Sequence, residues 1–264
     1  MPPTDLLSAE LTLTARITTA SNATFLGAIG PSTVVYKPIA GESPLWDFPH
    51  GALAHREVAA YALSQVFGGD VVPRTWLRDG PLGEGMVQLW CEPDPQQHPV
   101  DLIAAAPSTE KSTPVHTPPA GFKHVLSGED ETGRIVNLVH EDGPALRRMA
   151  VFDVIVNNAD RKGNHILAMA DGIRHGVDHG LTFHHEHKLR TVLWGWLGEN
   201  LNDEELMAVQ RVCQGLNGDL GRQLADLLTA QELDAVATRC EILQNTARFP
   251  APSGRMPAVP WPLF

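Results

Sequence analysis

Asp160 and Asn164 stand four residues apart in the polar run Asn158-Ala159-Asp160-Arg161-Lys162-Gly163-Asn164-His165, which separates an apolar helical stretch from an apolar strand. About fourteen residues further on, Asp178 ends a short apolar run in Gly176-Val177-Asp178-His179-Gly180, where the second glycine frees the following turn. Phosphoryl transfer requires such a set: one carboxylate to orient an acceptor hydroxyl, with an amide oxygen and a second carboxylate to hold magnesium on the phosphates. Asp160, Asn164 and Asp178 fit those roles in that order. Asx residues also cap turns and open loops, so neither motif decides by itself. Upstream, Lys37 ends the run Val34-Val35-Tyr36-Lys37-Pro38, and Glu57 lies at the start of the next helical stretch. A lysine that contacts phosphate needs an anion to hold it in place. Surface lysines and first-turn glutamates are individually common, so the order of all five residues carries the reading.

The elements that must position these residues follow from periodicity. Leu11, Leu13, Ala15 and Ile17 alternate with polar residues, and Phe25 to Ile29 and Val34 to Tyr36 form two further short apolar runs, which predicts three antiparallel strands. Ala54 to Phe67 is apolar at helical spacing and Gly68-Gly69 supplies a stop. Val71 to Leu77 and Met86 to Trp90 read as two more strands around the turn at 79–83. From Glu92 to Pro119 the composition shifts to Pro, Ser, Thr and charge, with a single apolar cluster at Leu102 to Ala106, and reads as a mobile lid or linker. Gly143 to Asn157 is an amphipathic helix and His165 to Met169 a strand. Asn202 caps a helix with an acidic first turn, and Gly221 to Cys240 continues as helix. The proline-rich stretch from Phe249 to Phe264 reads as an extended strap.

With 264 residues and 43% hydrophobic content the chain can build a large core unaided. Three widely spaced cysteines, Cys91, Cys213 and Cys240, fit free thiols in a reducing cytosol. No apolar run approaches the roughly 20 residues that span a bilayer, and the first residues lack the pattern of a secretion signal. A cytoplasmic location without membrane insertion is therefore expected. A net charge of −11 opposes nucleic-acid phosphates and anionic lipid. There is no Gly-x-x-x-x-Gly-Lys-Ser/Thr loop and no Gly-x-Ser-x-Gly elbow. The cluster His184-His185-Glu186-His187 matches no zinc spacing. Trp46, Phe48, Trp90, Trp194 and Trp196 read as core or groove lining.

From about Ile17 to about Leu197 the chain resembles the phosphatidylinositol 3-/4-kinase-like superfamily, most of all type II phosphatidylinositol 4-kinases and an uncharacterised, mainly actinobacterial branch. The segments that carry the resemblance are Val35-Tyr36-Lys37-Pro38, Arg56 to Tyr61, Val72 to Thr75, Val87 to Glu92, Ala159-Asp160-Arg161 with Asn164, and Val177 to Phe183. Arg190 and the Trp194-Gly195-Trp196 pair resemble the end of that family's activation segment. The resemblance implies an α+β, two-lobed kinase-like fold: an N-lobe of antiparallel sheet and one helix over 1–92, the lid over 93–132, and a mostly helical C-lobe over 133–264. It also implies ATP in the cleft, with Lys37 on the α/β-phosphates, Glu57 orienting it, Asp160 at the acceptor hydroxyl, and Asn164 and Asp178 on magnesium. Leu89, Trp90, Cys91 and Glu92 would form the adenine-contacting hinge. The loop Thr19 to Ala23 would cradle phosphate through backbone N–H groups, the Ser21 hydroxyl and Asn22, or else is an ordinary hairpin turn.

Two departures bear on the acceptor. Lys162 stands where eukaryotic lipid kinases place a histidine, so charge stabilisation would fall to Lys162. The segment after Asp178 holds Lys188 and Arg190 but no extended basic stretch suited to a phosphorylated inositol headgroup. The expected activity is therefore ATP- and magnesium-dependent phosphotransfer to a protein or small-molecule hydroxyl, with a phosphoinositide acceptor and any nucleic-acid partner disfavoured. A nucleotide-binding pseudokinase scaffold and an AMP-transferring enzyme are the alternatives.

Overall fold

The direction in which Lys37 points is decided by strand register. In the computed structural model, which describes residues 5–18, 20–45, 47–48, 53–68, 70–105 and 118–264, the chain begins with strands β1 (Leu11–Arg16), β2 (Phe25–Ile29) and β3 (Ser32–Pro38). Helix α1 (Leu53–Phe67) and strands β4 (Thr75–Gly80) and β5 (Gly83–Leu89) follow. The strands join in one antiparallel sheet of order β1-β2-β3-β5-β4. Successive side chains leave a strand on opposite faces. On one face Leu11, Ile29, Val34, Tyr36, Trp76 and Val87 pack together, and on the other Met86 packs against Ala54 and Val58 of α1. Tyr36 pairs with Val87 and Lys37 with Met86, so Lys37 emerges on the face that α1 covers.

Helix α1 is buried on nearly all sides, and its alanines at 54, 59, 60 and 62 let sheet and helices approach it closely. Its first N–H groups, at Leu53 and Ala54, donate to the two carboxylate oxygens of Glu42 at 2.7 and 2.8 Å, which satisfies donors that a helix start leaves open. Gly68, at φ +93°, ends it. Thr19, Trp46 and Gly69 of the sequence reading lie outside the described residues.

The stretch read as a lid or linker over 93–132 is corrected in its described part. Strands β6 (Val100–Ala104), β7 (Phe122–Glu129) and β8 (Ile135–Glu141) form a second antiparallel sheet of order β6-β8-β7. The boundary expected between 132 and 133 falls in the turn that joins two paired strands. Strand β6 is mostly exposed, whereas the central strand β8 is buried over Asn137 to His140. The Pro, Ser, Thr and charged residues around these strands mask short apolar runs such as Val100–Ala104. Residues 106–117 of that stretch lie outside the described ones.

Helix α2 (Pro144–Val156), the short hairpin of β9 (Ile166–Ala168) and β10 (Arg174–Gly176), and helices α3 (Asp203–Leu216), α4 (Asp219–Ala225) and α5 (Ala230–Thr246) complete the order. The helix expected without interruption over Gly221 to Cys240 is two helices. Thr229 accepts the Glu232 N–H while Glu232 reaches back to the Thr229 N–H, a capping box that starts α5. Leu146, Phe152 and Ile155 of α2 pack with Phe67, Trp196 and Val209 in the main core. From Phe249 onward no described residue belongs to a helix or named strand, in keeping with the proline content.

Buried polar contacts bind these parts together. Arg56 of α1 pairs with Glu232 of α5 and donates from Nε to the Thr182 carbonyl at 3.0 Å, with both charged residues buried. Truncating one partner of a buried pair leaves an uncompensated charge. Glu232→Ala should therefore lose about 3–5 kcal/mol, with the paired change Arg56→Met and Glu232→Leu recovering part of it, as read by urea denaturation. His140 of β8 donates from Nδ1 to the Glu141 carbonyl and accepts the Gly195 N–H at Nε2, both at 2.9 Å. Burial pushes its pKa down from 6.5 to about 4. Below about pH 6.5 the unfolded chain takes up a proton that the fold refuses until about pH 4, so this contribution to stability is complete above that window and is lost as pH falls through it. His140→Gln should flatten the stability profile there by up to about 1.4 kcal/mol per pH unit, measured as denaturation midpoints at several pH values.

Candidate functional site

An ammonium group taken out of water must find anions, and Lys37 finds two. Its Nζ lies 2.7 Å from Glu57 Oε1 and 2.7 Å from Asp178 Oδ1. Glu57 is buried on α1 and accepts the His179 N–H with Oε2 at 2.9 Å. Burial alone would lower the Lys37 pKa, but Asp178 and Glu57 more than offset it and hold it above the ordinary value. The Lys37 charge in turn holds the Asp178 carboxyl, which is half-exposed, well below the usual range. Burial raises the Glu57 pKa, opposed by Lys37.

Asp178 adopts φ +59°, in the left-handed region, which disfavours a side chain and marks a conformation imposed by its surroundings. The conformational freedom read at Gly180 thus sits at Asp178. The glycine answers a need for space, since a Cβ on Gly180 would stand 3.2 Å from Leu53 Cβ.

The loop that carries Asp160 is framed by Arg161, whose side chain is wholly buried. Nε and Nη2 donate to the two carboxylate oxygens of Asp153 on α2, each at 2.9 Å. Nη1 donates to the carbonyls of His165 and Val177 at 3.1 and 3.3 Å, and Nη2 meets His179 Nε2 at 2.7 Å. Arginine only donates, so Nε2 accepts and the His179 proton sits on Nδ1. That atom has no hydrogen-bond partner among the described residues. Burial, reinforced by the Arg161 charge, pushes the His179 pKa well below its ordinary value, so the ring is neutral. A Cβ at Gly176 would stand 2.8 Å from Arg161 Nη2, which makes glycine there a steric requirement.

Within this frame the Asp160 N–H donates to Asn158 Oδ1 at 3.0 Å, and Oδ2 lies 3.1 Å from Lys162 Nζ. The Asp160 carbonyl accepts from His165 Nδ1 at 2.9 Å, while His165 Nε2 stands 3.4 Å from Asp178 Oδ2. Asn164 is exposed and its side chain makes no hydrogen bond among the described residues. The segment after Asp178 runs back along the loop: Arg190 N donates to the Asn158 carbonyl and Arg190 Nε to the Ala159 carbonyl, at 2.9 and 2.6 Å. The strap closes the other side. The Leu263 carbonyl accepts the Gly163 N–H at 2.8 Å, the Phe264 ring lies against Gly163, and the Ala258 carbonyl accepts from Thr191 N and Trp194 Nε1 at 3.1 and 2.8 Å.

Lys37, Glu57 and Asp178 thus meet, and His165, bonded to the Asp160 backbone carbonyl, stands beside Asp178, while Lys162 pairs with the Asp160 carboxylate. Ser21 and Asn22 are not hydrogen-bonded to this group. Ser21 is exposed, and Asn22 Oδ1 accepts the Ser43 N–H at 2.8 Å, tying the β1–β2 connection to the chain after β3. In the stretch read as a hinge, Leu89 N donates to the Arg74 carbonyl and Trp90 N to the Thr33 carbonyl, at 2.9 and 3.0 Å. Trp90 Nε1 donates to Glu92 Oε2 at 2.8 Å, and Cys91 is a half-buried thiol whose pKa burial raises. Asp94 N donates to the Ala168 carbonyl at 2.8 Å, which brings the stretch onto β9. Sequence reasoning gave no role to Arg161, Asp153, His165 or Glu42. Only Thr229-x-x-Glu232, among the contacts that fix the site, has a recognisable local pattern.

No protein-family model matches the chain. The crystal structure of a Helicobacter pylori proinflammatory kinase, CtkA, aligns over 92% of this chain and 94% of that one with a TM-score of 0.45 and 10% identity, a level at which no shared fold follows. In sequence, the chain is 47% identical over 267 aligned positions to protein Rv2133c of Mycobacterium tuberculosis, covering 98% of this chain and 94% of that protein. The chain belongs to the family of Rv2133c.

Proposed function

We propose that the chain is an ATP- and magnesium-dependent phosphotransferase of two-lobed, kinase-like architecture that moves the γ-phosphoryl group to a hydroxyl of a protein or small molecule. The observation that carries this reading is the Lys37 ammonium held at 2.7 Å by both Glu57 and Asp178. In this reading Lys37 binds the α/β-phosphates, Glu57 keeps it aimed, and Leu89 to Glu92 meet the adenine. Ser21 and Asn22 flank the phosphates from the β1–β2 connection.

The donor set suits magnesium. Asp178 Oδ2 is not bonded to Lys37, and Asn164 offers an exposed amide oxygen, both hard ligands of the kind that ion takes. When bound, magnesium neutralises charge on the phosphates. Asp160 orients the acceptor hydroxyl and receives its proton as the acceptor oxygen bonds to the γ-phosphorus and the bond to the bridging β–γ oxygen breaks, leaving ADP. Lys162, beside Asp160, offsets charge that builds in transfer. A lipid acceptor is disfavoured because Lys188 and Arg190 are engaged inside the fold, with Asp47 and with the Ala159 carbonyl. The net charge of −11 also repels anionic surfaces.

Asp160→Asn tests the assignment. Phosphotransfer from labelled ATP, including autophosphorylation, should fall by about 10²–10⁴-fold, while nucleotide affinity by calorimetry stays within a few fold. Undiminished transfer by the variant refutes the role of Asp160. Tight nucleotide binding without any transfer by the unaltered protein indicates a scaffold instead.

A further inference from the structure

His165 is placed as a ligand would be and is used by nothing described so far. Its Nδ1 faces a carbonyl oxygen, which can only accept, so Nδ1 carries a proton. The other ring nitrogen faces Asp178 Oδ2 at 3.4 Å and makes no hydrogen bond among the described residues. A protonated Nε2 would draw the carboxylate to about 2.7–2.9 Å, and the longer separation speaks against such a bond. Two lone-pair atoms at this separation repel, and a cation relieves that. Ligands at about 2.0–2.2 Å from one ion stand about 3.0–3.5 Å apart at ordinary coordination angles, which the observed gap matches. The backbone carbonyl on Nδ1 is also the kind of partner that orients a metal-binding imidazole.

Charge leads to the same place. Lys37 brings one positive charge against Glu57 and Asp178, and one Asp178 oxygen remains beyond its reach. A divalent ion between Oδ2 and Nε2 answers the surplus negative charge without displacing Lys37.

We propose that His165 Nε2 is a protein ligand of the divalent cation, with Asp178 Oδ2, in a mixed nitrogen and oxygen site that favours Mn²⁺ over Mg²⁺. The inference rests on the phosphotransferase reading for the presence of a cation at Asp178. A nitrogen ligand adds more to the affinity for a borderline transition ion than to that for magnesium. His165→Asn retains an N–H that can reach the Asp160 carbonyl and has no atom in place of Nε2.

The experiment uses the full chain labelled with ¹⁵N-histidine, Mn²⁺ and a non-hydrolysable ATP analogue, read by pulsed electron paramagnetic resonance. The unaltered protein should show ¹⁵N hyperfine coupling to manganese, a result that needs no variant. In His165→Asn the coupling should vanish and Mn²⁺ affinity should weaken by about tenfold or more, with Mg²⁺ affinity changing less. Manganese bound together with the nucleotide but without ¹⁵N coupling overturns the ligand role and leaves the phosphotransferase reading intact. Coupling that survives in the variant assigns it to another histidine and also overturns the proposal. No binding of manganese and nucleotide by the unaltered protein overturns both.

Discussion

One cation shared by two carboxylates holds the site in register. Lys37 comes from the end of β3, the middle strand of the first sheet, Glu57 from the helix across it and Asp178 from a loop more than a hundred residues later, and all three meet within 2.7 Å contacts. The buried Glu57 charge is offset by Lys37, which bridges it to the half-exposed Asp178. The arrangement therefore fixes three separate elements at once. It also leaves one Asp178 carboxylate oxygen unbonded to Lys37, on a residue whose backbone is in the left-handed region. The constraint is supplied from behind by Arg161, which binds Asp153, the carbonyls on either side of the β9–β10 hairpin, and His179 in a single buried fork.

Much of this was legible in the chain because it is written locally. Alternation placed β1 and short apolar runs placed β2 and β3, and Lys37, next to Tyr36 in an extended run, had to face away from it. The helix bearing Glu57 and the Asn202 cap of α3 also have local signals. What escaped is written in long-range contacts. Arg161 looks like one more surface charge in a polar loop until Asp153 is seen beneath it. Glu42 caps a helix that begins eleven residues away. The second sheet escaped because its short apolar runs, such as Val100–Ala104, are set among Pro-, Ser-, Thr- and charge-rich sequence that reads as linker. The break before α5 did have a local sign, the Thr229 and Glu232 spacing, hidden by the continuous helical period around it.

Helix α1 belongs to both parts of the molecule. Its face toward the sheet presents Glu57 to Lys37, while Arg56, the preceding residue, pairs with Glu232 on α5 and with the carbonyl of Thr182. Adjacent helical residues point about a quarter turn apart, so one turn of helix serves Lys37 and the distant α5 together. The segment that follows Asp178 is held by the same arginine, which couples the placement of Asp178 to the seating of α1.

The strap adds a constraint in time. Gly163 sits in the loop of Asp160, yet the carbonyl that receives its N–H and the ring that lies on it belong to Leu263 and Phe264. As ribosomes make the chain from its N-terminal side, that brace is synthesised long after the loop it steadies. A nascent chain can therefore close its first sheet and seat α1 on it while the Asp160 loop still lacks one wall, which is added about a hundred residues later.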